Sequence, residues 1–433
     1  MQEIKLQKLQ NNTNPPSLFE LRRGKGSKEM KEQERREFVE IISEDIRSIS
    51  AEVLSTHIQR EDVVKATWLS LISGKPAFLL GVPGVDKTGT VQGMAARISG
   101  AVFYDALMPT IVSPEQLLVE ATEIIESQNG VGKVISTRDT LGRAASAHIV
   151  FADEIWKAEP RILQTLIDLS KGDGVRHEGQ MVKTPLLSFL CASNELPDSE
   201  GNLGAIWSRM TIRSVINPLD KAGKAALVKA RLIRDREAKK SGAKSTIKIS
   251  DLETLRDIRP HVGVPEDLIN IALEIYESLL TDDQAGFQWA WDDDRRFGRI
   301  FDVMQANAIL DGRIAVNKSD LSVLELLLWD RREQIASIKA KIAPYCRTAL
   351  IDAQELLDAL LSPTGLVAIV LNGDRSKGVQ ALTQCEETER ELDRLKTDAS
   401  GDQQMVERIS ALITQLEQAR QGVTAVVLGT KKK

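Results

Sequence analysis

The chain has 433 residues, 42% hydrophobic and 27% charged, with a formal net charge of −5. That length holds more than one domain and a substantial core, and the composition is that of an ordinary soluble globular protein. The acidic balance argues against a main surface built for nucleic acid, although an average can hide a local basic patch.

The three cysteines, Cys191, Cys346 and Cys385, are scattered and have neither metal-ligand spacing nor the look of a disulfide framework. The four histidines are equally scattered. No apolar run approaches the ~20 residues of a membrane span. The basic N-terminal residues precede no apolar stretch of the kind a secretory signal requires. A cytoplasmic chain is expected.

Residues 1–35 are polar, broken by Asn11-Asn12 and Pro15-Pro16, and read as a flexible arm. Phe38, Ile41, Ile42, Ile46, Ile49 and Val53 recur at helical spacing over 34–54, and a second helix covers 60–73. An apolar strand then leads into a glycine-punctuated loop and a helix over 88–98. The alternation continues with a strand at 102–104, a helix at 114–127, a strand at 147–152, a helix at 160–170 and a strand at 185–192. Helices alternating with short apolar strands predict an open parallel sheet covered on both faces, a doubly wound α/β domain over 36–218. Gly172, Gly174 and Gly179 mark a hairpin before the last of these strands.

After Asn217-Pro218 the strand signals stop. Helices are predicted over 220–239, 251–257, 265–280, 293–309 and 318–340, an all-α domain spanning 219–342. In the remaining region, 343–433, two β-rich apolar runs at 365–372 and 422–429 bracket charged helical segments at 376–398 and 402–421. A helical hairpin closed by a small strand pair is expected; two helices packed on the main body fit the pattern equally well.

The chemistry concentrates in three segments. Phe78-Leu79-Leu80 runs into Gly81, Val82, Pro83, Gly84, Val85, Asp86, Lys87, Thr88 and Gly89. A strand feeding such a loop aims backbone N–H groups and a helix N-terminus at one point, which suits a polyphosphate. Lys87 then reaches the β/γ-phosphates of ATP, and the Thr88 hydroxyl ligates Mg²⁺. Asp86 stands where the pattern calls for a second glycine. A unit charge ~4 Å from a phosphate costs ~4 kcal/mol at an effective dielectric of ~20. Turned outward it costs far less, so ATP binding with slow hydrolysis is expected over outright loss.

The second segment, His148 to Ala152, is an apolar strand ending in Asp153-Glu154. A strand of this kind ends at the carboxyl edge of the sheet, beside the phosphate loop. Asp153 is placed to hold Mg²⁺ through water and Glu154 to polarise the attacking water. The third is the strand leading to Ser193-Asn194, where Asn194 either orients that water or caps a turn before Pro197.

Asp153-Glu154-Ile155-Trp156-Lys157-Ala158, Ala192-Ser193-Asn194-Glu195-Leu196-Pro197 and Gly81-Val82-Pro83-Gly84 together resemble the MoxR group of AAA+ ATPases, closest to its RavA-like branch. The resemblance covers roughly residues 45–345 and leaves the C-terminal hairpin unplaced. It implies an AAA+ P-loop fold with a helical lid, and a homo-oligomeric, hexameric ring holding ATP between subunits. It also implies a protein client, or a partner with a von Willebrand factor A domain. In Ile206-Trp207-Ser208-Arg209-Met210, the resemblance makes Arg209 a finger reaching the neighbour's γ-phosphate, with Ser208 replacing the usual acid. In Asp293-Asp294-Arg295-Arg296 it makes Arg295 the phosphate sensor, with Arg296 in reserve. Ile58, Val63 and Val64 are placed either around the adenine or in the core. The resemblance implies remodelling of a protein partner; an ATP-binding scaffold with little hydrolysis is the alternative.

Overall fold

The computed structural model describes residues 30–129, 132–172, 174–177, 180–197, 203–237, 245–280, 294–346, 349–362, 365–399 and 403–428. The predicted N-terminal arm lies outside these residues up to position 29. The chain divides into two compact units, Met1–Ile342 and Ala343–Lys433.

The first unit is built on a five-stranded parallel sheet. Its strands are β1 (Ala77–Leu80), β2 (Phe103–Leu107), β3 (Ile149–Asp153), β4 (Ser188–Ser193) and β5 (Ile212–Val215), in spatial order β5-β1-β4-β3-β2. All residues of β1 and β4 are buried, the pattern of strands covered on both faces rather than one. The doubly wound sheet read from the sequence is therefore present. The chain leaves β1, one strand in from the β5 edge, returns from the β2 edge through β3 and β4, and finishes on the far side of β1. That order puts the loop after β1 in the crevice where such sheets hold ligands.

Helix α1 (Glu32–Leu54) buries Phe38, Ile42, Ile46, Ile49 and Val53 along one stripe. Helix α2 (Glu61–Ser73) is buried almost all round and stops at Gly74, which takes φ 69°. The Trp68 indole donates to Ser50 Oγ at 2.9 Å, joining the two helices. Helix α3 (Lys87–Ala95) follows the phosphate loop. Past β5 the unit is almost wholly helical, the main elements being Lys221–Glu237, Ile249–Ile258, Glu266–Leu280, Asp294–Leu310 and Gln334–Cys346.

Three expectations are corrected. The helix predicted over 114–127 ends at Leu118, and Val119–Asn129 instead pairs antiparallel with Gly132–Leu141. The spacing of Leu117, Leu118, Ala121, Ile124 and Ile125 imitates a helix. The β-branched content of both arms, with a glycine at position 130 between them, favours a hairpin. The helix predicted over 318–340 is broken: Lys318–Val323 is 3₁₀, Leu324–Leu327 is α, and the next helix starts at Gln334. Gln334 Oε1 accepts from the N–H groups of Asp330 and Arg331 at 2.8 and 2.9 Å, capping that restart.

The third correction falls in the second unit. The helical hairpin is there, as Gly378–Asp398 and Gln403–Val427, but the strand pair is not. Residues 365–372 contain the helix Leu366–Leu371, and 422–427 continue the long helix. Ile409, Leu412, Leu416, Val423 and Val426 keep helical spacing in the buried core, so packing overrides the β-propensity of the Val-rich end. The helix Ala349–Leu360 completes the cluster with Ala353, Leu357 and Leu360.

Candidate nucleotide-binding site

At the carboxyl ends of β1, β3 and β4 lies a cleft of about 280 Å³ lined by residues 83–89, Asp153, Glu154 and Asn194. Three segments distant in sequence thus meet at one place. Gly84 takes φ 82°, which L side chains rarely adopt. A Cβ on Gly81 would come within 2.8 Å of the Ile216 carbonyl oxygen, so the loop has to leave β1 through glycine.

Lys87 is buried, and its ammonium donates to the carbonyls of Gly81 at 2.6 Å and Val82 at 3.3 Å. Burial lowers its pKa, against the opposing pull of Asp153 and then Glu154. Thr88 Oγ1 donates to Asp153 Oδ2 at 3.2 Å. Asp153 Oδ1 in turn accepts the Glu154 N–H at 2.9 Å. The Glu154 carboxylate accepts from Lys157 Nζ at 2.9 Å, and this hydrogen bond raises the lysine's pKa. A hydroxyl beside a carboxylate is an oxygen donor set of the kind Mg²⁺ prefers, and the cleft's chemistry fits the ion.

Backbone strain gathers here. Among the described residues four non-glycines have positive φ, and two of them, Asp86 at 61° and Glu154 at 53°, line the cleft. A third, Gln59 at 54°, immediately precedes Arg60. Such conformations persist where the surroundings over-determine them, commonly at functional sites. The Asp86 carboxylate does not stand free: His57 Nδ1 lies 2.7 Å from its Oδ2.

The remaining predicted residues are elsewhere. Arg209 lies three residues ahead of Ile212, which pairs with Ala77 at the start of β1, whereas the phosphate loop leaves from the other end of that strand. Arg209 and the cleft are thus at opposite ends of the sheet. Arg295 lies in the helix Asp294–Leu310, with its side chain outside the described residues. Arg296, held in reserve as a sensor, is buried against protein instead: its guanidinium donates to Leu327 O and, at 3.1 Å, to Asp330 Oδ2. Val63 and Val64 are core residues of α2.

Sequence reasoning missed the node that Arg296 joins. Arg213 on β5 donates to Asp330 Oδ1 at 2.6 Å and lies over the Trp207 ring, its Cζ 4.0 Å from the centroid. The Trp207 indole donates to the same carboxylate oxygen at 3.0 Å. Burial alone would raise the pKa of Asp330, but Arg296 and Arg213 outweigh it and hold the carboxyl below the usual range. Trp207 also touches Phe78 of β1, Trp156 and Trp329 at ring separations of 5.2, 6.0 and 6.0 Å. Aromatic packing thus connects the strand that feeds the cleft, the residue two beyond Glu154 and the segment holding Asp330. The signal in the sequence was three tryptophans, each followed by a charged or polar residue: Lys157, Ser208 and Asp330.

The parallel sheet, the phosphate loop with its Asp-Glu strand and the helical extension define a P-loop protein of the AAA+ class. Residues 44–257 match the family model for the MoxR domain in the MoxR-vWA-beta-propeller ternary systems, and residues 268–342 match the AAA lid domain.

Two uncharacterized proteins of Methanocaldococcus jannaschii are similar in sequence. MJ0079 is 25% identical over 87% of this chain and 96% of its own length, and MJ0812 is 24% identical over 73% and 81%. A structural protein of Acidianus two-tailed virus, ORF618, is 25% identical over 40% of this chain and 29% of its own. A crystal structure of a provisionally assigned ATPase from Cytophaga hutchinsonii superposes with a TM-score of 0.55 at 16% identity. It covers 71% of this chain and 96% of its own, a likeness of fold. None of these comparisons singles out the RavA-like branch. Among the described residues no helix is long and apolar enough to cross a membrane.

Proposed function

We propose that the chain binds Mg-ATP in the cleft and hydrolyses it to remodel or assemble a protein partner. The observation that carries this reading is the convergence of Lys87, Thr88, Asp153, Glu154 and Asn194 on one cleft. Lys87, released from the loop carbonyls, pairs with the β/γ-phosphates while the backbone N–H groups of the loop hold them. Thr88 and Asp153 hold Mg²⁺, which supplies neutralisation of phosphate charge. Glu154 accepts the proton of the attacking water and Asn194 orients that water. Arg295 is assigned to the phosphates from the lid.

Arg209 lies at the opposite end of the sheet from its own cleft, which supports a role at a neighbour's. Composite sites of this kind require a homo-oligomer, and a hexameric ring fits the class. The ternary systems for which the matched MoxR model is described support a partner carrying a von Willebrand factor A domain. A cytoplasmic location and little affinity for nucleic acid complete the reading. The expectation of slow turnover stays with Asp86.

A second reading, an ATP-binding scaffold with little hydrolysis, draws on the viral relative described as a structural protein. Steady-state ATP hydrolysis by wild type and Glu154→Gln separates the two. An ATPase loses turnover in the variant. A scaffold has none to lose, and its wild type would defeat the first reading.

A further inference from the structure

The departure of Asp86 from glycine comes with a matching set of residues. Its carboxylate is half-exposed and lies 2.7 Å from Nδ1 of His57, 29 residues earlier in the chain. A carboxylate only accepts, so Nδ1 carries the proton and donates. The neighbours on helix α3 are shaped around this pair. A Cβ on Gly89 would overlap the Asp86 carboxylate, and a Cβ on Gly93 would come within 2.9 Å of His57 Nε2. Neither glycine has positive φ, so the backbone does not require it. Glycine is the poorest helix former after proline, yet two stand one turn apart on the edge of α3 that faces the pair.

The charges are sorted in the same way. The carboxylates acting on Lys87 are Asp153 and Glu154. Asp86 acts on Arg60, a buried residue whose guanidinium donates to the carbonyls of Gln59 and Asn217.

We propose that His57 is a positioning residue that holds the Asp86 carboxylate along the Gly89–Gly93 edge of α3. It thereby keeps this negative charge off the phosphates that the loop binds. The motif departure is tolerated because the imidazole, and the space two glycines leave, give the carboxylate another place to be. The same contact fixes the 55–60 segment to the first turn of α3, so His57 links that segment to the phosphate loop.

This inference rests on the nucleotide reading of the cleft. The test is titration of a fluorescent ATP analogue with Mg²⁺ into the full chain. The set is wild type, His57→Ala, His57→Asn, Asp86→Gly and the double variant His57→Ala with Asp86→Gly. His57→Ala weakens binding about tenfold or more, the scale of one hydrogen bond to a charged group. The double variant binds as tightly as Asp86→Gly alone, because no charge remains to be held. His57→Asn, whose amide donates from near the position of Nδ1, stays within about threefold of wild type.

Unchanged binding by His57→Ala overturns the proposal. So does a double variant as weak as His57→Ala, since the imidazole would then act on the nucleotide itself. A wild-type chain that binds no nucleotide overturns this proposal and the functional reading together. Wild-type binding indifferent to His57 removes only the former.

Discussion

Thr88 and Asp153 share a hydrogen bond of 3.2 Å, although one opens the helix after β1 and the other ends β3. The pair brings the hydroxyl of the phosphate loop to the acid of the neighbouring segment and leaves their oxygens available to one hard cation. ATP affinity in the wild type should therefore be higher with Mg²⁺ than with a chelator present. In Asp153→Ala that difference should largely disappear, and titrations with and without EDTA check it. A variant that keeps the full Mg²⁺ effect removes Asp153 from the metal site.

Glu154 is held at φ 53° with its carboxylate on Lys157 and its N–H on Asp153. Replacing it with glutamine keeps the shape and removes the base. Turnover should fall by about 100-fold or more, the usual worth of a positioned general base. Nucleotide affinity should change little, and steady-state hydrolysis beside equilibrium binding measures both.

Arg209 cannot serve the cleft of its own chain from the other end of the sheet. Arg209→Ala should lose about 10³-fold in turnover with ATP binding retained. Mixing Arg209→Ala with Glu154→Gln should recover part of the activity, because some composite sites then contain both an intact finger and an intact base. Absence of recovery on mixing argues against completion of the site by a neighbour.

Asp330 anchors Arg213, Arg296 and the Trp207 indole. Asp330→Asn leaves two buried guanidiniums facing each other and should cost about 3–5 kcal/mol of stability. The wild-type carboxyl has a folded pKa below its unfolded value. Its contribution is therefore fully present above the unfolded pKa of about 4 and is lost as pH falls through the folded pKa. Melting temperatures should be flat with respect to this group near neutrality and fall in acid, and Asp330→Asn should lack that part of the acid dependence.

The sheet, the phosphate loop and the Asp-Glu strand were legible because local patterns specify them: buried β-runs, glycine spacing and paired acids at a strand end. What escaped was set by contacts between distant positions. Nothing near Asp86 in sequence announces His57, and the pair becomes visible only when the α1–α2 connection meets α3. Arg296 looked like a ligand-facing cation until Asp330, 34 residues on, accounted for it. The hairpin 119–141 was misread because apolar spacing was weighed over the β-branched residues of its two arms. The Val-rich end of the last helix was misread because β-propensity yields to burial at helical spacing.

The central claim is that Lys87 and the residues around it form one Mg-ATP site. Calorimetry of Mg-ATP binding to wild type and to Lys87→Ala tests it most directly. The account predicts saturable association with the wild-type chain and its loss in the variant. No association with the wild type, or equal association with both, contradicts it.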